Sequence, residues 1–445
     1  MKTVFITCIR GIISRNILST AAFELLASRN DLRLVIIVPE SRTVAMKKEF
    51  GGENVFIEGV PNPPPKGLGR FLWVLATNLL ATRTREVQRR AKFEYDKNLF
   101  DYLASRLVGF IGRFRALRRL FRLLYGLFDS GSEFDNLFKR YQPSLLFGTD
   151  VYELADVRIM RAARRLGVTT IGMVRSWDNP TSKTILNFIP DHVVVNAERI
   201  RAEAIEYGDV PANRISISGV PHYDCYLDTS LRTPRDEFCR RVGLDPAKPF
   251  MLFTPPADTY LQHDPVAPVV LKALETSRIQ VLVRMPLVGK TELAGMIPPP
   301  NAVFDMPSNS PDFVDVHLDR AADRHLADSI YHSALVITWA STMVIDAAAF
   351  DKPIILVGFD ASPRPYGRSI QQYYDYDHQR AIIESRGVRF ARTPEELSRM
   401  AKLYLDDSTL DKIGREKIRQ DYCGDLDGHD GERLGKFLLE RLDAL

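Results

Sequence analysis

Cysteine is scarce: Cys8, Cys225, Cys239 and Cys423 are the four in 445 residues, and no two form a CxxC pair. Neither a disulfide framework nor a zinc knuckle is expected, and a reducing compartment suits such a chain. No run of 18 uncharged apolar residues occurs, so a membrane-spanning helix is not expected. The opening MKTVFITCIRG passes from an apolar strand straight into Arg10, without the apolar core of a secretory signal. A cytoplasmic location is the expectation. GxGxxG is missing, which disfavours dinucleotide redox chemistry. Gly289-Lys290-Thr291 lacks the preceding glycine frame of a P-loop, and GxSxG is missing too. The histidines do not gather with acids at ligand spacing, so no metal and no cofactor is expected.

What the chain does have is the composition of a globular protein, 45% hydrophobic and 26% charged, over a length that suits two cores. Short β-branched apolar runs alternate with helical patterns twice over. In the first half the strand-like runs fall at 1–8, 34–38, 54–58, 145–149, 168–174, 192–196 and 215–218, with helical spacing at 17–27 and 156–166. In the second half they fall at 249–254, 279–283, 314–317, 335–338 and 353–357, with helices at 323–332 and 343–350. This alternation predicts an α/β protein of two doubly wound, Rossmann-like domains, their strand carboxyl ends facing each other across a cleft. The first domain is expected over 1–225 and a charged, proline-containing linker over 226–248. The second follows over 249–428, and a final helix, 429–445, crosses back to the first.

Charge is unevenly spread. Residues 66–126 carry 14 Lys/Arg against 4 Asp/Glu, a local +10 in a chain of net +4. Within this helical insertion, about 66–128, the stretch GFIGRFRALRRLFRLLYGLF (109–128) spaces its apolar residues by three and four, with arginines mainly between them. One amphipathic helix is predicted, able to lie on an anionic membrane surface or to pack on a sheet with a solvated basic face. Nucleic acid is not expected as a partner, since no recognition fold accompanies the charge.

Candidate site residues cluster at strand ends. Arg10 and Arg15 lie in the loop after the first strand, where open α/β sheets bind ligands, unless that loop is simply solvated. RSWDNPTSK (175–183) follows another strand. There Asp178 is a candidate general base, Arg175 and Lys183 candidate anion holders, and Trp177 a candidate stacking surface. The plain structural alternative is an Asx-Pro turn. His222 stands near the expected linker, where a histidine is otherwise structural. The second domain centres on 335–360, a strand–turn–helix–strand unit. Ser341 and Thr342 fall at the start of its helix, suited to a phosphate, and Asp346 one turn further in suits ribose hydroxyls. An ordinary cap and an exposed helix residue are the alternatives.

Several motifs in order carry a resemblance. Arg284-Met-Pro286, the strand ending at Thr338, Ser341-Thr342 with Asp346-Ala347, Asp351-Lys352-Pro353-Ile354, and Asp425-Leu-Asp427-Gly428 span the second half. Together they resemble GT-B glycosyltransferases, in particular the group around the CDP-glycerol glycerophosphotransferases and related cell-surface polysaccharide enzymes. Gly219–Asp224 (GVPHYD) resembles the junction of such enzymes. The first loop is more distantly similar to that of the UDP-N-acetylglucosamine 2-epimerases, whose EAGLR segment is missing where RSWDNPTSK stands.

The resemblance implies a metal-independent transfer of a sugar or polyol phosphate from a nucleotide-activated donor to a glycan or lipid-linked acceptor. Thr254, Thr338, Ser341, Thr342 and Asp346 would then bind the donor, and Arg284 would meet charge on the leaving phosphate. From its strand-end position, not from the resemblance, Asp178 would be the base, joined in catalysis by Arg10 and Arg284. Arg15, Arg175, Trp177, Lys183 and His222 would bind the acceptor, with the 66–128 segment on the inner face of the membrane. An epimerase or hydrolase of the same fold, and a non-catalytic glycan-binding protein, stay open.

Overall fold

Apolar β-branched runs make the strands, and pairing decides their order. The computed structural model describes residues 1–62, 64–261, 264–275, 279–287, 289, 291–307 and 320–445. The chain divides into two units. The first comprises Met1–Arg89, Asn98–Asp224 and His429–Leu445, and the second Arg90–Lys97 and Cys225–Gly428.

In the first unit seven strands form one sheet. They are β1 (Lys2–Thr7), β2 (Leu32–Pro39), β3 (Val55–Val60), β4 (Leu145–Gly148), β5 (Thr169–Met173), β6 (His192–Val195) and β7 (Ile215–Ile217). Their order is β3-β2-β1-β4-β5-β6-β7, every pair parallel. The second unit repeats the plan with β8 (Phe250–Phe253), β9 (Gln280–Arg284), β10 (Ala302–Asp305), β11 (Leu335–Thr338), β12 (Ile354–Val357) and β13 (Arg389–Ala391). Their order is β10-β9-β8-β11-β12-β13, again parallel throughout. A parallel sheet is stable only when both faces are covered. Val4, Phe5 and Ile6 of β1 and Leu335, Val336 and Ile337 of β11 are accordingly all fully buried. The strand order reverses between β1 and β4 and again between β8 and β11, the two places where such sheets take ligands. A strand expected at 314–317 lies outside the described residues.

The final helix, Asp430–Asp443, belongs to the first unit. Leu434, Leu438 and Leu442, four residues apart, are buried in one core with Ala22 and Leu26 of the helix Ala21–Ala27. Each contributes about 2 kcal/mol by leaving water. Asp224 fixes its start, accepting from the backbone N–H of Asp430 at 3.0 Å and of Gly431 at 2.8 Å. The Asp430 carboxylate in turn accepts from Val220 N–H at 2.7 Å. Gly219 makes room for it: its φ is +78°, and a Cβ there would lie 2.1 Å from Asp430 Cγ. Asp427-Gly428 precedes this helix, and a second Asp-Gly pair, Asp430-Gly431, opens it.

Three expectations are corrected by packing. Residues 226–248 are not a free linker: they hold the helix Arg235–Val242, whose Phe238 and Cys239 are fully buried in the second unit. The helix expected at 17–27 is broken into Ser14–Leu18 and Ala21–Ala27. The single helix expected at 109–128 is two, Leu99–Ile111 and Arg115–Phe128. The break falls at Gly112, where a Cβ would stand 1.8 Å from the carbonyl oxygen of Leu79, the last residue of the helix Gly67–Leu79.

The Arg115–Phe128 helix buries Phe121 and Tyr125 together with two of its arginines, where a helix packed on a sheet was expected to keep its basic face in solvent. Arg118 and Arg122 point inward onto Asp209, while Leu120, Leu123 and Leu127 are exposed.

Candidate functional site

Two polar sites lie at the two switch points, one in each unit. In the first, the ends of β1 and β4 are locked together. Thr149 donates its hydroxyl to Thr7 O at 2.9 Å, and its N–H to Thr7 Oγ1 at 2.9 Å. The Thr7 hydroxyl donates to the carboxylate of Asp156, in the first turn of the helix Leu154–Arg165. Burial pushes the Asp156 carboxyl well above its ordinary pKa, against the pull of that hydroxyl.

A pocket opens beside this lock. Its polar lining is Asn16, Thr149, Arg175, Asn196 and His222, over apolar side chains that include Ile13 and Met173. Arg175 is anchored through Nε to Asp150 Oδ2 at 2.8 Å. Burial works against its charge, but Asp150 outweighs it and raises the pKa, so the guanidinium stays a cation. Arg15 stands 3.0 Å from His222 Nε2. A guanidinium only donates, so Nε2 is the acceptor and the ring is neutral with its proton on Nδ1. Burial first, and then the Arg15 charge, push the His222 pKa well below its ordinary value. Asn196 is 6% exposed, and its Oδ1 has no hydrogen-bond partner among the described residues.

His222 and Arg175 thus line one pocket, and Arg15 bonds His222 beside it. Arg10 is held aside by Glu153, Nε to Oε2 at 2.6 Å. Asp178 accepts from the hydroxyls of Ser176 and Ser182 within its own turn. Trp177 is buried and Lys183 exposed, and neither lines the pocket, nor does Asp178. Sequence reasoning missed Thr149 and Asn196. Each is the polar residue that directly follows a buried apolar strand, a signal equal to the one used for Arg175.

The second site joins the ends of β8 and β11. Thr254 Oγ1 donates to Thr338 Oγ1 at 2.7 Å, and Thr338 Oγ1 lies 3.0 Å from Ser341 Oγ. The Ser341 hydroxyl accepts from Met343 N–H at 3.3 Å at the start of the helix Met343–Ala349. Thr342 is exposed and makes no capping bond. Asp346 is 7% exposed, not a surface residue, and accepts from the Tyr226 hydroxyl at 2.9 Å. Arg284, at the end of β9, is buried against Asp305, NH1 to Oδ2 at 3.0 Å. Burial alone would raise the Asp305 pKa, but His325, 2.9 Å away, and Arg284 hold it below the ordinary range. The charge of Arg284 is thus already balanced within the unit. No group of three or more metal-ligating side chains occurs among the described residues.

No protein-family model matches the sequence, and no curated protein matches it. Solved structures do match. A UDP complex of S. aureus MnaA is 11% identical, with all of this chain and 98% of that one aligned at a TM-score of 0.55. UDP-GlcNAc 2-epimerase from Neisseria meningitidis, bound to UDP-GlcNAc, is 9% identical over 99% of this chain and 100% of that one, TM-score 0.54. A glycosyltransferase from Rickettsia africae is 11% identical over 100% and 98%, TM-score 0.51. At these identities the likeness is one of fold. Two all-parallel α/β sheets, each with its own switch-point site, align with those structures from end to end, and the fold of this chain is GT-B.

Proposed function

We propose that the chain is a nucleotide-sugar-dependent glycosyltransferase that works without a metal. The observation that carries the reading is the first-unit pocket. A half-buried cation, Arg175, and a buried amide oxygen with no partner among the described residues, Asn196 Oδ1, line the same concavity at a switch point. Buried polar atoms are normally paired, and a hydroxyl-bearing ligand would supply the missing donor. The neighbours bound to UDP and UDP-GlcNAc support a nucleotide sugar as donor. Its diphosphate is assigned to the Thr254, Thr338 and Ser341 hydroxyls of the second unit, and the acceptor to the first-unit pocket.

The carboxylates near that pocket are committed elsewhere: Asp150 to Arg175, Glu153 to Arg10, Asp156 to Thr7, Asp178 to two serines. Asp178 is therefore not carried forward as the base. An acceptor oxygen that is already ionised, such as a phosphate on a glycan or lipid carrier, needs no base, and Arg175 is the group to hold it. The same commitment weighs against an epimerase, which must take a proton from carbon.

The test is a thermal-shift panel of UDP, CDP, GDP, ADP, CMP and their sugar conjugates, followed by donor turnover with and without phosphorylated acceptors. A shift confined to one base, with turnover only when acceptor is present, supports transfer. Turnover of the donor alone would replace the reading with epimerisation or hydrolysis. No shift from any nucleotide would replace it with glycan binding.

A further inference from the structure

We propose that the helices Gly67–Leu79, Leu99–Ile111 and Arg115–Phe128 form a surface that inserts into an anionic lipid bilayer. The proposal is independent of the catalytic reading. The first of these helices packs against each of the other two, so they make one layer. That layer is apolar on the outside. Leu120, Leu123 and Leu127 are 51%, 71% and 77% exposed. Phe100, Leu103 and Leu107 on the middle helix and Phe71 on the first are each more than half exposed. Monomeric soluble proteins rarely leave so many large apolar side chains in one patch.

The arrangement is enforced from within. Arg118 and Arg122 reach under the Arg115–Phe128 helix to Asp209, whose carboxylate is 2% exposed, and Arg122 also donates to Leu186 O at 2.6 Å. The helix therefore spends two of its arginines on the protein interior and turns its leucines out. Anchoring by a basic face alone would leave all the arginines outside.

Charge selects the occupant. The helices Gly67–Leu79 and Arg115–Phe128 contain no Asp or Glu, and Arg70, Arg113 and Arg119 are exposed around the apolar residues. A second copy would bring an equally cationic segment against this one, whereas an anionic headgroup layer complements it. Trp73, partly exposed on the same layer, is the residue type that settles at a headgroup boundary. No helix among the described residues is long and apolar enough to cross a membrane, so the surface lies in one leaflet.

The test is co-flotation of the full chain with phosphatidylglycerol–phosphatidylcholine vesicles. Binding is expected to survive about 0.5 M salt, where exposed charges are screened within a few ångströms. The variant carrying Leu120→Glu, Leu123→Glu and Leu127→Glu is expected to lose about tenfold or more in vesicle partitioning, with its nucleotide thermal shifts unchanged. If that variant fails to fold, Leu123→Trp answers the same question, since its emission moves to the blue on vesicles only if the side chain enters lipid. A chain that ignores vesicles, floats only at low salt, or floats equally well with the three glutamates overturns the proposal. A dimer that the same substitutions split, with no vesicle binding, would assign the face to a second copy and overturn it too.

Discussion

Arg118 clasps Asp209 through two nitrogens, with Nε to Oδ2 at 2.9 Å, and both side chains are buried. Arg122 and, at 3.5 Å, Arg115 share the same carboxylate, and it cannot lose its charge without stranding the two buried guanidiniums. Asp209→Ala is therefore expected to lower the unfolding free energy by about 3–5 kcal/mol in a urea titration. Arg119→Ala, exposed on the same helix, should change it by less than about 0.5 kcal/mol.

Burial raises the Asp430 pKa from 3.8 to about 6, even though Val220 N–H and Arg433 favour its charge. The native state then holds a proton that the unfolded chain releases between about pH 4 and 6. The contribution of this group is present below pH 4 and declines as pH rises through 6. Asp430→Asn keeps an acceptor for Val220 N–H and removes the titration. Melting at pH 4.5 and 7.5 should therefore show the native protein losing about 2 kcal/mol relative to the variant on going up in pH.

Asn196 separates binding from stability. Its Oδ1 is buried without a partner among the described residues, so Asn196→Leu removes a desolvated polar atom and should leave the melting temperature unchanged or higher. Acceptor affinity, measured by calorimetry or as KM, should fall about tenfold.

At the second switch point, Thr254→Val deletes the donor of the 2.7 Å bond to Thr338 and should cost about 1 kcal/mol in thermal denaturation. The double change Ser341→Ala and Thr342→Ala should weaken the nucleotide that gives the largest thermal shift by about tenfold. It should cost about 1 kcal/mol in thermal denaturation, through the Ser341 hydroxyl that bonds Thr338 and Met343 N–H, since Thr342 makes no capping bond.

The strands were legible because a buried parallel strand is a continuous apolar run, and LVIT or HVVV has no other good home. The fold class followed from their alternation with helices. Arg15 and Arg175 stood out from strand-end position and charge, whereas His222 stood out only as a histidine near the expected linker. The inward turn of Arg118 and Arg122 was not legible, because periodicity reports that a helix has two faces but not which of its arginines will find a buried partner. Asp209, some 90 positions away in the chain, decides that. The cover over Asp346 was not legible for the same reason: the Tyr226 hydroxyl that bonds it comes from a segment that sequence patterning treated as linker. Arg284 was read as a free cation because Asp305 lies on a neighbouring strand.

The helix Asp430–Asp443 gives the molecule an order of assembly. The first unit needs Leu434, Leu438 and Leu442 to close its core, yet those residues are made only after the whole of Cys225–Gly428. During vectorial synthesis the amino-terminal sheet therefore waits, open along the Ala21–Ala27 helix, while the later unit can complete itself. The half that emerges first from the ribosome is the half that finishes last, and a nascent chain stalled short of Asp430 exposes the apolar surface that chaperones recognise.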